Sequence, residues 1–440
     1  MDLGKLTFKG GASIPEFKEL TSKNPVEVLK SPKIVYIPLH QHSGSPCEPL
    51  VNVGDVVKIG QKIGSSNAFV SSSIHSSVSG VVKEISTIYT PTGIKSKCVV
   101  IENDGMDEMI ESIKERSLEY YKREEIISTL KEMGIVGMGG ASFPTHVKFS
   151  PPEDKKIDIL IINGAECEPY ITADHRLMLE NTKDIVSGIK VAMKALNTEK
   201  AYIGIEDNKP DAIEAMKKEL AGEKNIEVAI LKTKYPQGDE KRIIDAITNR
   251  KVPLGGLPMD VGCVVSNVAT IKAINDAILK GKPLYERIVT VTGSVNNPKN
   301  LLVRIGTPIE DLIEACGGFK GKPGKIIIGG PMMGIAQFDL KTPIVKGSNG
   351  VLVQALDEIK NEEVLPCIKC GKCIDVCPSR LEPLFISSYS LKDNYSKCDE
   401  LNALACVECG ACSYICPAKR PLAESIKIAK REITAKRKKS

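Results

Sequence analysis

The period of the apolar positions changes along the chain, and those changes divide it. Residues 1–32 hold Gly10-Gly11, several prolines and no sustained period, and are expected to form an extended arm. From Lys33, short β-branched runs (KIVYIPL, EPLVNVGDVVKIGQKIGSS, SIHSSVSGVVKEI) are broken by Gly-Asp and Gly-Gln turns, which predicts a small all-β domain over 33–103. The charged stretch MDEMIESIKERSLEYYKREEIISTLKEM reads as helical and ends at Gly134. Over 120–284, the strand-like runs KIDILIING, AYIGIED and IEVAILKTK alternate with the helical periods NTKDIVSGIKVAMKAL and PDAIEAMKKEL, and a last helix opens at Ser266-Asn267. That alternation predicts a parallel α/β sheet with both faces covered. Residues 285–360 give strands, Asn-Pro turns, one short helix and Gly-rich loops, and 361–440 turn helical in LEPLFISSYS and LAESIKIAKREITAKRKKS.

The last of these regions carries the sharpest chemical signal. Residues 367–378 read CIKCGKCIDVCP and residues 406–417 read CVECGACSYICP. Each is C-x-x-C-x-x-C-x-x-x-C-P, the run that wraps a [4Fe–4S] cluster in bacterial-type ferredoxins. Three thiolates spaced three apart let a tight turn curl round one cluster, with Gly371 and Gly410 relieving the crowded backbone. The fourth Cys of each run serves the other cluster. This assigns Cys367, Cys370, Cys373 and Cys416 to one cluster and Cys406, Cys409, Cys412 and Cys377 to the second. Zinc would take two C-x-x-C pairs rather than two runs of four. Disulfides would need an oxidising compartment, and nothing in the sequence suggests export.

Composition narrows the class further. A chain of 440 residues is expected to hold about three or four domains. With 42% hydrophobic and 26% charged residues it has the make-up of an ordinary soluble protein, and a net charge of +5 spread over this length does not argue for nucleic acid. No apolar run approaches a membrane span, and MDLGKLTFKGG lacks the apolar core of a signal peptide. Fourteen cysteines, eight of them in the two runs, fit a reducing cytoplasm. Cys47, Cys98, Cys167, Cys263, Cys316 and Cys398 are expected to be buried or idle thiols. The basic end, Lys436 to Lys439, reads as a solvated terminus or as a contact for an acidic partner or an anionic membrane surface.

The central region holds a second candidate site. In GIVGMGGASFPTHVKF, the glycines would let backbone N–H groups approach a phosphate closely, and Lys148 would neutralise its charge. The loop follows a helix and is not the G-x-G-x-x-G dinucleotide fingerprint, which follows a strand. NGAECEP supplies an amide and two carboxylates, Glu166 and Glu168, at the C-terminal end of a strand, where open α/β sheets bind ligands. Ser266, Asn267 and Thr270 add hydroxyl and amide groups at a helix start.

In order, GIVGMGGASFPTHVK, NGAECEP, YPQGDE and SNVAT resemble the FMN- and NADH-binding fold of the NADH-oxidising flavoprotein subunit of respiratory complex I. The resemblance implies that Gly137, Gly139, Gly140 and Lys148 hold FMN, with Asn163, Glu166, Tyr235, Gly238, Ser266, Asn267 and Thr270 completing its site. It places Phe143 near the nicotinamide or adenine and Glu168 on the NADH side. Met138, Ala165, Ser266 and Ala269 depart from that family's Arg, Asp, Asn and Glu. The run VGDVVKIGQKIG resembles the barrel-sandwich fold of biotinyl and lipoyl carriers, but SSIHSSVSG has no lysine to modify, so the domain reads as structural and His75 as a turn or contact residue. Residues 285–360 resemble a soluble-ligand-binding β-grasp module. The expected architecture is therefore multidomain α/β and α+β: arm, barrel-sandwich β domain, FMN-binding α/β domain, β-grasp module, and α-helical two-cluster ferredoxin domain.

That domain order resembles the RnfC family, the C subunits of Rnf electron-transport complexes, over nearly the whole chain, although this arm reads GGASIP where the family carries G-G-x-H-P-P. The resemblance implies a peripheral NAD(H)-oxidoreducing subunit on the cytoplasmic face of the membrane, working beside the other subunits of the complex. It would pass electrons between NADH, FMN and two [4Fe–4S] clusters, with ferredoxin as the indirect partner and Na⁺ or H⁺ transport as the coupled step. No side chain need act as acid, base or nucleophile. Two alternatives stand beside it: a microcompartment-type flavin and iron–sulfur cobalamin reductase, and a cluster-only wiring subunit whose nicotinamide site does not work.

Overall fold

The computed structural model describes residues 6–360 and 362–439. Its centre is a four-stranded parallel sheet ordered Ile226–Leu231, Lys200–Glu206, Ile159–Gly164, Cys263–Asn267. Helices cover it because their apolar residues fall at helical spacing. In Thr182–Leu196, for example, Ile185, Ile189, Ala192 and Leu196 are buried, and Asn197 ends the helix in the left-handed conformation. The chain runs first to Ile159–Gly164, then outward through two strands on one side, and returns to Cys263–Asn267 on the other. The order therefore reverses beside Ile159–Gly164, and the crevice at that switch point is where open α/β sheets take ligands.

The all-β region folds as two small sheets, of four and three strands, around Val35, Ile37, Ile63, Ile74, Val82, Val99 and Ile101. The stretch that a carrier domain would expose is buried here. Residues 71–80 are all buried, Ser77 Oγ donates to the Ile305 carbonyl at 2.5 Å, and His75, 4% exposed, is held neutral by burial beside Lys346. Lys346 Nζ donates to the Ser73 and Gly134 carbonyls, both at 2.7 Å. One ammonium thus ties the barrel sandwich, the glycine-rich segment and the β-grasp module together.

The charged segment before the central domain departs from its helical reading. Among residues 106–133 only Arg123–Glu132 is an α-helix, preceded by a single 3₁₀ turn at Leu118–Tyr120. Upstream the chain is irregular, with one isolated bridge from Met109 to Ile59, because Ile59 N–H donates to the Glu108 carbonyl at 2.8 Å and Ile110 N–H to the Ile59 carbonyl at 3.1 Å. The Ile110 and Ile113 side chains lie against Gly60. These tertiary contacts outweigh the weak intrinsic preference of a Glu- and Lys-rich stretch for helix.

The β-grasp module is a six-stranded mixed sheet, and its outermost strand on one side is Val26–Val28, donated by the arm and paired in parallel with Asn300–Leu302. Leu6 adds a bridge to Leu231 at the edge of the central sheet, and Ala12 bridges Tyr235. The C-terminal region consists of the short helices Lys372–Asp375, Pro383–Ser390, Tyr395–Glu400 and Ala411–Ile415, with the long helix Leu422–Lys439 packed against them through Ile426, Ala429 and Ile433. No described helix is long and apolar enough to cross a membrane.

Candidate functional site

The structure brings most of the central candidates into one crevice. Asn163 and Asn267 are register partners on adjacent parallel strands, at the C-terminal ends of both. Asn163 Nδ2 donates to the Gly238 carbonyl at 2.7 Å, and its Oδ1 accepts from Ala165 N–H at 3.1 Å. Asn267 caps the helix Val268–Leu279 by accepting from Ala269 N–H at 2.8 Å, while its Nδ2 donates to Asp174 at 2.6 Å. Ser266 lies one residue earlier than expected, buried in the strand rather than at the helix start.

The glycine-rich loop closes over this pair. Gly137 N–H donates to the Phe143 carbonyl at 2.9 Å, and Met138 N–H donates to Thr270 Oγ1 at 2.9 Å. Gly139 approaches Asn267 so closely that a Cβ would stand 2.9 Å from its side chain, whereas a Cβ on Gly140 would meet nothing within 4 Å. The first glycine is needed for contact and the second leaves the loop open. Phe143 is 38% exposed at the loop's far end. Lys148 is tied down: its Nζ donates to Glu240 at 2.5 Å and to the Val265 carbonyl at 2.7 Å, so it lines the crevice as one half of an ion pair.

The two acidic candidates face different ways. Glu166, at a positive φ of 47°, accepts from the Asp174 and His175 N–H groups at the start of the helix Ala173–Glu180, at 2.6 and 3.2 Å. Burial pushes its carboxyl up to about 7, against the opposing pull of Lys18. Lys18 itself is buried and donates to the Glu168 and Ile171 carbonyls at 2.9 and 2.5 Å. Glu168 accepts instead from the β-grasp loop, from Met332 N–H at 3.2 Å and Met333 N–H at 2.7 Å, and burial raises its carboxyl to about 7 as well. Asp174, Lys18, Glu240 and the Met332-Met333 loop all belong to this constellation and escape a reading of the sequence alone. Only the Gly-Gly-Pro-Met-Met-Gly composition of the last hints at a close-packed turn.

At the other end of the chain, the eight thiols divide into two hollows. Cys367, Cys370, Cys373 and Cys416 line one, and Cys377, Cys406, Cys409 and Cys412 line the other. These are the crossed sets expected from the spacing. Among the described residues, no group of three or more His, Cys, Asp or Glu side chains is drawn together so as to hold a single metal ion; each set of four thiols rings a hollow instead. The motifs repeat each other in backbone. Gly371 and Gly410 sit at φ 79° and 76°, Lys369 and Glu408 at 54° and 58°. Lys369 N–H donates to Cys367 Sγ at 3.4 Å and Glu408 N–H to Cys406 Sγ at 3.3 Å. Such N–H···S bonds favour thiolate and tune a bound cluster. Burial raises the Cys373, Cys377 and Cys406 thiols and pushes Cys409 up to about 12.

The hollows differ in setting. Cys367 and Cys370 are exposed, while Cys377, Cys409 and Cys412 are buried. The buried hollow abuts the central crevice: Tyr235 Oη donates to the Cys409 carbonyl at 2.7 Å, and Gly238 N–H, three residues on, donates to Cys167 Sγ at 3.4 Å. Of the other cysteines, Cys47, Cys98, Cys263, Cys316 and Cys398 are buried and Cys167 is half-buried at this junction.

Comparison with known proteins matches this organisation. Residues 6–106 match the RnfC barrel sandwich hybrid domain, 130–276 the Nuo51 FMN-binding domain, 288–336 the SLBB domain, and 359–417 the 4Fe-4S dicluster domain. The chain is 51% identical over 429 residues to the C subunit of the proton-translocating ferredoxin:NAD(+) oxidoreductase complex of Clostridium ljungdahlii, spanning 97% of this chain and 94% of that one. It is 49% identical over 435 residues to the C subunit of the Na(+)-translocating ferredoxin:NAD(+) oxidoreductase complex of Acetobacterium woodii, spanning 98% of both. Among solved structures, an air-oxidized NAD+-reducing [NiFe]-hydrogenase chain shares the fold with a TM-score of 0.50 at 18% identity, over 71% of this chain and 61% of that one. With its four domain types in order and near-full-length identity to both relatives, the chain belongs to the RnfC family, the C subunits of ion-translocating ferredoxin:NAD(+) oxidoreductase complexes.

Proposed function

We propose that this chain is the NAD(H)-oxidoreducing peripheral subunit of an Rnf-type complex, moving electrons between NADH and the membrane-embedded subunits on the cytoplasmic face. FMN bound in the crevice would supply the conversion between a hydride's electron pair and single electrons, and two [4Fe–4S] clusters would carry those electrons one at a time. The observation that carries the reading is the 2.7 Å hydrogen bond from Tyr235 to the Cys409 carbonyl, which ties the central crevice to the backbone of a residue lining the buried cluster hollow. The crevice residues fit a flavin: Gly140 opens the loop, and Asn163, Asn267 and Thr270 converge beneath it.

The chain's own groups bind and orient. Gly137, Gly139 and Gly140 would cradle the phosphate-bearing side, with Asn163, Glu166, Tyr235, Gly238, Ser266, Asn267 and Thr270 around it. Lys148, balanced by Glu240, would set the local charge, and Phe143 would cover the nicotinamide side. Glu168 serves first to clamp the β-grasp loop over the junction. Cys367, Cys370, Cys373 and Cys416 would hold the exposed cluster, and Cys406, Cys409, Cys412 and Cys377 the buried one. The domain bounds that go with this reading are 1–32, 33–103, 120–284, 285–360 and 361–440. Ion transport would belong to other subunits, since no described helix is long and apolar enough to cross a membrane.

The test is equilibrium FMN binding to the anaerobically purified chain, followed by NADH addition. Saturable binding and bleaching of the bound flavin support the reading. Bound flavin that NADH leaves oxidised would favour the cluster-only wiring role, and cob(II)alamin reduction with NADH would favour the cobalamin reductase.

A further inference from the structure

The arm has no part in the flavin or cluster motifs, yet it threads the seam between them. Gly11 N–H donates to the Val376 carbonyl at 2.9 Å, one residue before the cluster ligand candidate Cys377. A Cβ on Gly10, at φ +93°, would stand 2.8 Å from the Cys377 carbonyl oxygen. One residue on, Ala12 and Tyr235 exchange two backbone hydrogen bonds, at 2.8 and 3.0 Å. Tyr235 in turn reaches the Cys409 carbonyl. Ala12, Tyr235, Cys409 and Ala411 share one small apolar core, joined by Val376 from the facing loop. The arm is anchored on both sides of this point: Lys234 Nζ donates to the Phe8 carbonyl at 2.9 Å and lies over the Phe8 ring, and downstream Lys18 is buried under Glu168.

We propose that Gly10, Gly11 and Ala12 are positioning residues for electron transfer: the arm is a spacer strand that fixes the gap between the flavin crevice and the buried cluster hollow and keeps it filled. Both walls of that hollow are gripped, Cys377 through the arm and Cys409 through Tyr235 on which the arm rests. Electron tunnelling falls steeply with distance and with empty space in the path, so a filler in van der Waals contact with both sides sets the rate. Glycine is needed at position 10 because a side chain there would push directly on cluster-loop backbone, at a φ that L residues rarely adopt. This inference rests on the proposed function, in that a flavin and a cluster flank the seam.

The experiment compares Gly10→Val with Gly54→Val in the full chain carrying FMN and clusters. Gly54 has nearly the same φ, +94°, but nothing within 4 Å of a Cβ, so it places a side chain at a positive φ without the contact. The flavin is reduced either by NADH or by illumination with a sacrificial donor, and cluster reduction is followed by rapid-freeze EPR. Hydrogen exchange over residues 374–381 is read in parallel, and needs no flavin. The expected result is that Gly10→Val keeps iron content and flavin reduction but slows cluster reduction by about tenfold or more, because donor and acceptor geometry is displaced. Exchange at 374–381 should rise, and Gly54→Val should match the unaltered chain in every readout. Equal cluster-reduction rates in the two variants, or unchanged exchange at 374–381 in Gly10→Val, would overturn the proposal. Failure of NADH alone, with photoreduced flavin still feeding the clusters at a Gly10-dependent rate, would count against the proposed function and leave the spacer standing.

Discussion

Replacing Glu168 by Gln should flatten the pH dependence of the clamp between the central domain and the β-grasp loop. The Glu168 carboxylate accepts from the Met332 and Met333 amides, and burial raises its pKa from 4.5 to about 7. The folded chain therefore keeps this proton over a range where the unfolded chain has lost it. The residue's contribution to stability is whole below about pH 4.5 and is lost as pH rises through about 7. At about 1.4 kcal/mol per pH unit, the loss sums to about 3 kcal/mol across that window. Glutamine has nearly the same shape and stays neutral, but the two amides bond to different carboxylate oxygens, so its single Oε1 accepts from one of them and its Nε2 leaves the other unpaired. Amide hydrogen exchange at Met332 and Met333, corrected for the intrinsic pH effect and followed from pH 5 to 8, reads the local opening energy without assuming that a multidomain chain unfolds in one step. The unaltered chain should lose protection steadily as pH rises, whereas Glu168→Gln, lower at pH 5 for the amide it leaves unpaired, should stay flat across the range. Parallel pH profiles for the two would show that the carboxyl is already ionised at pH 5, and that the two amide bonds outweigh burial.

Three further perturbations test the site. Cys377→Ser should damage the cluster held by the second cysteine run, leaving the EPR signal of the Cys367 set; loss of the Cys367 signal instead would mean that each run ligates its own cluster. Gly139→Ala puts a methyl 2.9 Å from the Asn267 side chain and should weaken FMN binding by about tenfold or more, about 1.4 kcal/mol, as measured by fluorescence titration. Tyr235→Phe keeps the ring but strips the Cys409 carbonyl of its donor, which should cost the seam about 1–3 kcal/mol in local opening measured by hydrogen exchange.

The parts of the site that lie on single elements are legible in the sequence. Asn163 follows a clean β-branched run, Asn267 begins a helical period, and the thiol spacing alone anticipates both sets of four. What local patterns cannot carry is distance between remote segments. The family resemblance points Glu168 at the nucleotide, but it meets Met332 164 residues away. Lys148 reads as free for a phosphate, and its ion pair with Glu240 is equally non-local. The helical reading of 106–118 fails for the same reason, since Ile110 and Ile113 are held by Gly60 in another domain. The arm is the least legible part: it has no period because its partners are backbone carbonyls of three different regions, at Ile230, Tyr235 and Val376.

The most direct test of the account mixes the anaerobic chain, loaded with FMN and both clusters, with NADH, and records flavin absorbance and cluster EPR on the same samples. The flavin should bleach first and a reduced-cluster signal should follow, weaker where the cluster potential lies below that of NADH but growing as NAD⁺ is removed. Flavin that is demonstrably bound and stays oxidised in excess NADH would contradict it.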